Sequence, residues 1–137
     1  MVHLDTSFLV DLLRETGRQR PGPAVQLLES MPDTSIYVSI HAVCELEAGA
    51  ALSDDPEAER HRLRTLTSRV EIVRPTHPDF TATYGELLAD LQRSGRKIGT
   101  MDLLIATAAL VAGAPLVTRD LRHFERVRGL ELLTYGD

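Results

Sequence analysis

The stretch "GTMDLLIATAALVAGAPLVTRD", residues 99–120, decides how this chain folds. "MDLLIATAALVAG" is apolar on nearly all sides, which specifies a helix buried within the protein rather than one lying on its surface. "PLVT" follows it as a short strand. Two acids punctuate this apolar run. Asp102 opens the helix, and Asp120 follows the strand by two residues.

Working outward, the same alternation recurs. Val2 to Leu4 reads as a short buried strand. "TSFLVDLLRE" continues with helical spacing, and Phe8, Leu9, Leu12 and Leu13 share a face. "TGRQRPGP" is a loop by its Gly and Pro content, and "AVQLLESM" is a short second helix. "SIYVS" has β-branched and aromatic residues and reads as a strand, with Ser39 placed to cap a helix running to about Leu52. The next helix, "DDPEAERHRLRTLTSR", has a cap signal at Asp54 or Asp55, Pro56 at an early helical position and acids in its first turn. "VEIV" is a strand. Pro78 and Asp79 start a long helix that Gly95 ends, and "GRKIGT" is a loop. Beyond "PLVT", "DLRHFERV" is a helical turn or short helix and "LELLT" a last strand. Alternating strands and helices specify an α/β fold in three layers, a mostly parallel central sheet of four to five strands flanked by helices. The 137 residues form one domain, 1–137, with no repeat and no linker.

Composition narrows the class. Trp is absent and aromatics make up only 4%, so the core must be built from Leu, Val, Ile and Ala. Cys44 is the only cysteine, which rules out an internal disulfide and fits a reducing compartment. No apolar run reaches the ~18 residues needed to span a bilayer, and the N-terminus lacks the basic-then-apolar pattern of a secretion signal. A cytoplasmic protein with no membrane partner is expected. The net charge of −5 speaks against a nucleic-acid partner at first sight. Yet Lys97 is the only lysine among 15 basic residues, and the arginines cluster, as at Arg93 and Arg96 and again from Arg119 to Arg128. Arginine suits planar, bidentate contacts with phosphate or carboxylate. The plain alternative is a solvated surface.

The acids carry the chemistry. In open α/β sheets, ligands bind beyond the carboxyl ends of the strands. Asp5 follows the first strand, Asp120 follows "PLVT", and Asp102 opens the most apolar helix. Glu45 lies within the helix after the second strand, with Ala42 and Gly49 at helical spacing leaving room for another segment. Each acid has a structural explanation of its own. Asp5 and Asp120 suit helix caps, Asp102 a first-turn acid, and Glu45 a solvated helix residue. Together, three of them fall at one sheet edge and the fourth, Glu45, can reach it. Four carboxylates in one pocket repel, so protons or a cation must enter. Oxygen-only ligands favour Mg²⁺ or Mn²⁺. Zinc would want Cys or His, and the five histidines show no ligand pair at metal spacing. The chemistry that fits is hydrolysis of a phosphodiester or related bond.

"LDTSFLVDLLR", "SIHAVCELEAGA" and "GTMDLLIATAALVAGAPLVTRDLRHFERVRGLELL" resemble, in order and spacing, the PIN-domain ribonucleases, specifically the VapC-type toxins of bacterial toxin–antitoxin modules. The resemblance runs through essentially the whole chain and is weakest from about Leu52 to Ser94. It implies a PIN-like fold in which Asp5, Glu45, Asp102 and Asp120 bind one or two Mg²⁺ or Mn²⁺ ions, Asp5 and Asp102 most directly. It implies that Thr118 steadies Asp120 or a water, with Thr6 and Ser7 as weaker candidates. It implies cleavage of structured RNA such as tRNA or rRNA, a homodimer, and a cognate antitoxin that inhibits. Arg96, Lys97 and Arg119 are the nearest cations for RNA phosphates. Leu52, Leu63 and Leu66 are candidates for the dimer surface. Asp11 and Glu47 fall off the acidic face, Asp11 on the far side of the first helix, and are expected to be surface or hydrogen-bonding residues.

Other classes fit less well. Phospho-Asp phosphatases need a second Asp two residues after the first, where this chain has Ser7. A receiver domain wants a Lys after a late strand, whereas Lys97 precedes a helix. A PIN-like RNA- or partner-binding module without catalysis, or a PIN nuclease of RNA maturation without an antitoxin, remains as the alternative.

Overall fold

The computed structural model describes residues 1–136. In chain order the elements are β1 (Val2–Leu4), α1 (Thr6–Gly17), α2 (Pro23–Glu29), β2 (Ile36–Ser39), α3 (Ile40–Ala51), α4 (Pro56–Thr67), β3 (Glu71–Val73), α5 (Phe80–Arg93), α6 (Thr100–Val111), β4 (Leu116–Val117), α7 (Leu121–Phe124) and β5 (Leu132–Leu133). All four strand pairings are parallel, and the strands lie in the order β3-β2-β1-β4-β5. Helices flank the sheet, as the alternation of elements requires.

Local sequence sets most of the boundaries. Asp5, Ser39 and Asp55 each accept a backbone N–H at the start of α1, α3 and α4, and Pro56 takes the first position of α4. α5 starts directly after Asp79, which is its N-cap residue. The helix begins at Phe80, and Asp79 makes no side-chain cap; instead the Asp79 N–H donates to Nδ1 of His77. Gly95 ends α5 as anticipated. Its φ of 69° lets Arg96 N–H reach back to the Leu91 carbonyl and Gly95 N–H to that of Gln92.

The core is aliphatic. Leu103, Ile105, Ala106 and Ala109 of α6 are buried, and so are Phe8, Leu9 and Leu12 of α1. α6 packs between α5 and α3, and its alanines let those helices come close. Thr107 fits this apolar setting because its hydroxyl donates to the Leu103 carbonyl one turn back, at 2.6 Å. Leu63 belongs to the same core, so it offers nothing to a dimer surface, whereas Leu52 is 87% exposed. Leu63 faces inward because α4 must bury an apolar stripe against α3 and α1. Among the described residues no helix is long and apolar enough to cross a membrane.

β1 is the central strand, and all three of its residues are buried. His3 is thus enclosed, stacked on Tyr37 with ring centroids 5.7 Å apart, and its Nδ1 has no hydrogen-bond partner among the described residues. Burial lowers its pKa from 6.5 to about 4. The folded state therefore binds fewer protons than the unfolded chain between those values. The associated stability is complete above pH 6.5 and is lost as pH falls toward about 4. Urea denaturation of wild type and His3→Leu across that window is expected to show a steeper acid loss in wild type; parallel curves would refute the buried neutral imidazole.

Candidate active site

The strand order reverses at β1. The chain runs outward through β2 and β3, then returns to place β4 on the other side of β1. Such a reversal leaves a crevice outside the carboxyl ends of the two strands. Leu4 pairs with Val117, so the next residues, Asp5 and Thr118, meet at the mouth of that crevice.

Asp5 is only 3% exposed. It caps α1 by accepting the Phe8 N–H on Oδ1 at 2.9 Å. The Ser7 hydroxyl donates to the same carboxylate at 2.9 Å, and the Thr118 hydroxyl donates to Oδ2 at 2.6 Å. Thr118 in turn accepts the Asp120 N–H at 2.9 Å, which ties the loop after β4 to Asp5. Burial raises the Asp5 pKa, the bonds from Thr118, Phe8 and Ser7 oppose that rise, and the Asp102 charge adds to it. The net direction is upward.

The other acids sit on α3, on α6 and at the start of α7. Glu45 accepts the Thr6 hydroxyl at 2.6 Å, so α3 is linked to the residue beside Asp5. Asp102, in the first turn of α6, lies 2.9 Å from Nε2 of His123. Asp120 caps α7 by accepting the His123 N–H at 3.2 Å. The cap roles of Asp5 and Asp120 and the first-turn position of Asp102 are present, and Glu45 is tied to Thr6. Each carboxylate holds a donor of its own, and among the described residues no three Asp, Glu, His or Cys side chains stand close enough together to hold a metal ion.

The donor chemistry nonetheless fits a hard cation. A carboxylate offers about four acceptor sites, and Asp5 has three donors, leaving capacity for one more bond. Asp102 is bonded through Oδ2, and Asp120 through Oδ1. A cation bound here would also relieve the repulsion between Asp5 and Asp102.

Two features escaped the sequence. His123 joins α7 to Asp102 across 21 residues, a pairing that no local spacing signals. Asp11 is a hydrogen-bonding residue, as its pattern suggested, but it does not stand apart from the site. It accepts from the Arg119 guanidinium at 2.7 Å and from the Tyr135 hydroxyl at 2.6 Å. Arg119, expected to face RNA phosphates, is thus drawn to Asp11, while its backbone N–H donates to Ser7 at 3.3 Å. Glu47 is exposed, as expected.

The PIN-domain family model matches residues 2–130. The chain is a PIN domain of the VapC ribonuclease family. It is 36% identical over 104 residues to ribonuclease VapC2 of Rickettsia felis, covering 73% of this chain and 74% of the relative. It is 36% identical over 93 residues to the tRNA(fMet)-specific endonuclease VapC of Shigella flexneri, covering 68% and 70%. The structure of VapBC2 from Rickettsia felis bound to a promoter DNA fragment superimposes with a TM-score of 0.90 at 30% identity, covering 99% of this chain and 100% of that one. In this chain the β1–β4 register sets Asp5 against Thr118.

In this PIN domain the Asp11 carboxylate holds the loop between β4 and α7 from outside. Asp11→Ala leaves Arg119 and a half-buried Tyr135 hydroxyl without their partner, and is expected to cost about 1–3 kcal/mol in urea unfolding. Tyr135→Phe removes one bond and is expected to cost about 1 kcal/mol. Equal and negligible losses would show that the loop is held elsewhere.

Proposed function

We propose that this VapC-family chain is an Mg²⁺- or Mn²⁺-dependent endoribonuclease, the toxin of a toxin–antitoxin pair, that cleaves structured RNA. The observation that carries this reading is a buried carboxylate, Asp5, at the strand-order reversal, held by three donors and facing the charge of Asp102. A buried anion with another beside it is arranged for a cation or a proton, and family membership favours the cation. Asp5 and Asp102 would be the principal ligands, with Glu45 and Asp120 completing the site. When bound, the ion supplies an activated water and offsets charge on the phosphate and leaving oxygens.

The chain's own groups prepare that chemistry. Thr118 and Ser7 fix the Asp5 carboxylate and keep it from rotating. Thr6 holds Glu45. His123 holds Asp102 at the mouth of α6. The name of the Shigella relative makes tRNA the first substrate to test, with rRNA next. The VapBC2 complex supports a cognate antitoxin as partner. An apolar cavity of about 720 Å³ lined by Leu12, Val25, Leu28, Met31 and Leu66 offers uncovered surface of the kind that partners bury. A homodimer is the expected assembly, with exposed Leu52 available to it.

Asp5→Asn is the direct test. Asparagine caps a helix as well as aspartate does, so stability should stay within about 1 kcal/mol of wild type. RNA cleavage should fall by about 100-fold or more, because the anion is gone. Cleavage of a tRNA transcript at the wild-type rate would defeat the assignment. Chelation gives an independent check. EDTA is expected to stop cleavage by the wild-type protein, and Mg²⁺ or Mn²⁺ to restore it. Activity that survives exhaustive chelation would remove the metal from the proposal.

A further inference from the structure

Between the α5–α6 loop and α7 lies a cavity of the opposite sign to the acidic site. It has a volume of about 490 Å³ and is lined by Gly95, Arg96, Lys97, Arg122, Glu125 and Arg126. Four cationic side chains face one carboxylate, in a protein whose net charge is −5. Among the described residues, none of these four cations lies within ion-pair distance of an acid, whereas Arg14, Arg62, Arg119 and Arg128 do. Concentrating unneutralised positive charge in one hollow costs repulsion, which an anionic ligand would relieve.

The hollow is held in shape. The left-handed turn at Gly95 sets the direction in which Arg96 and Lys97 leave α5. From the opposite wall the Arg126 guanidinium donates to the Lys97 carbonyl at 2.6 Å, clamping the loop to the segment after α7. Both walls lead directly to the acids. The loop runs from Lys97 into α6 and Asp102, and Arg122 is the neighbour of His123, which holds Asp102.

We propose that this cavity is a phosphate-binding subsite for the RNA strand, taking a backbone phosphate next to the one cleaved at the acidic centre. The inference rests on the ribonuclease reading and gives it a direction along the strand: from the carboxylates, across His123, to the α5–α6 loop. Arg96, Lys97 and Arg122 contact the phosphate. Arg126 is a positioning residue that holds the loop. Arg119, paired with Asp11, is not part of the subsite.

The test measures binding without cleavage. Asp5→Asn protein in EDTA is titrated with a fluorescein-labelled tRNA(fMet) transcript across a range of salt. Adding Arg96→Gln, Lys97→Gln and Arg122→Gln together should weaken binding by about tenfold and lower the salt slope by about 0.7 to 1, the contribution of one phosphate. Removing the same amount of charge outside the cavity, through Arg20→Gln, Arg64→Gln and Arg69→Gln, should leave the slope within about 0.5 of the parent. Equal effects of the two triple variants would overturn the subsite, because charge alone would then explain them. An unchanged slope in the first variant, with weakened antitoxin binding, would also overturn it and mark the hollow as a protein contact. Failure of the parent to bind RNA at any salt would overturn the ribonuclease reading itself.

Discussion

The bond from Thr118 to Asp5 joins the two strands that flank the strand-order reversal, and the site is organised around it. A carboxylate that is almost fully buried loses several kcal/mol of solvation. Hydrogen bonds to a charged group return about 1.5–3 kcal/mol each, so the three donors around Asp5 offset part of that loss, and burial still holds its pKa up. Two of them, Phe8 N–H and Ser7, are local to the α1 cap. The third comes from β4, 113 residues away. Only when β4 is docked against β1 does the Asp5 anion gain its third donor, which couples completion of the sheet to completion of the site.

From that centre the arrangement extends in two directions. Toward α3, Thr6 carries the link to Glu45. Toward α6, Thr118 carries it to Asp120, whose helix presents His123 to Asp102. Short hydroxyl side chains occupy the junctions in both cases. A hydroxyl both donates and accepts, so Thr118 can serve a carboxylate and a backbone N–H at once. Outside this ring, Asp11 gathers Arg119 and Tyr135 and closes the back of the β4–α7 loop. The acids are thus held by neutral or basic donors, and the unpaired cations collect a short distance away around Lys97 and Arg122. Opposite charges stay separated across one helix end, which suits a ligand that carries negative charge to both places.

The order of elements was readable because each is specified locally. Apolar period, caps and breakers lie within a few residues of what they determine, as with Asp55 and Pro56 at α4 or Gly95 at α5. At the entry to α5 the detail is local as well: Asp79 is the N-cap residue, and its own N–H donates to His77. Asp5, Glu45, Asp102 and Asp120 stood out as candidates because acids beside buried strands and helices are costly without a purpose. Their partners did not stand out, since His123 and Asp11 look like any surface residue until the strands are ordered.

By itself, the sequence determined the α/β class, the caps and the acidic positions, through interactions that act over a few residues. The tertiary structure decided which strand lies beside β1. That choice turns Asp5 and Thr118 into neighbours, draws Arg119 away to Asp11, and brings the α5–α6 loop and α7 together around a basic hollow. Sheet order is set by long-range packing of α6 against its neighbours and by the return of the chain to the far side of β1, and no pattern within a few residues encodes either.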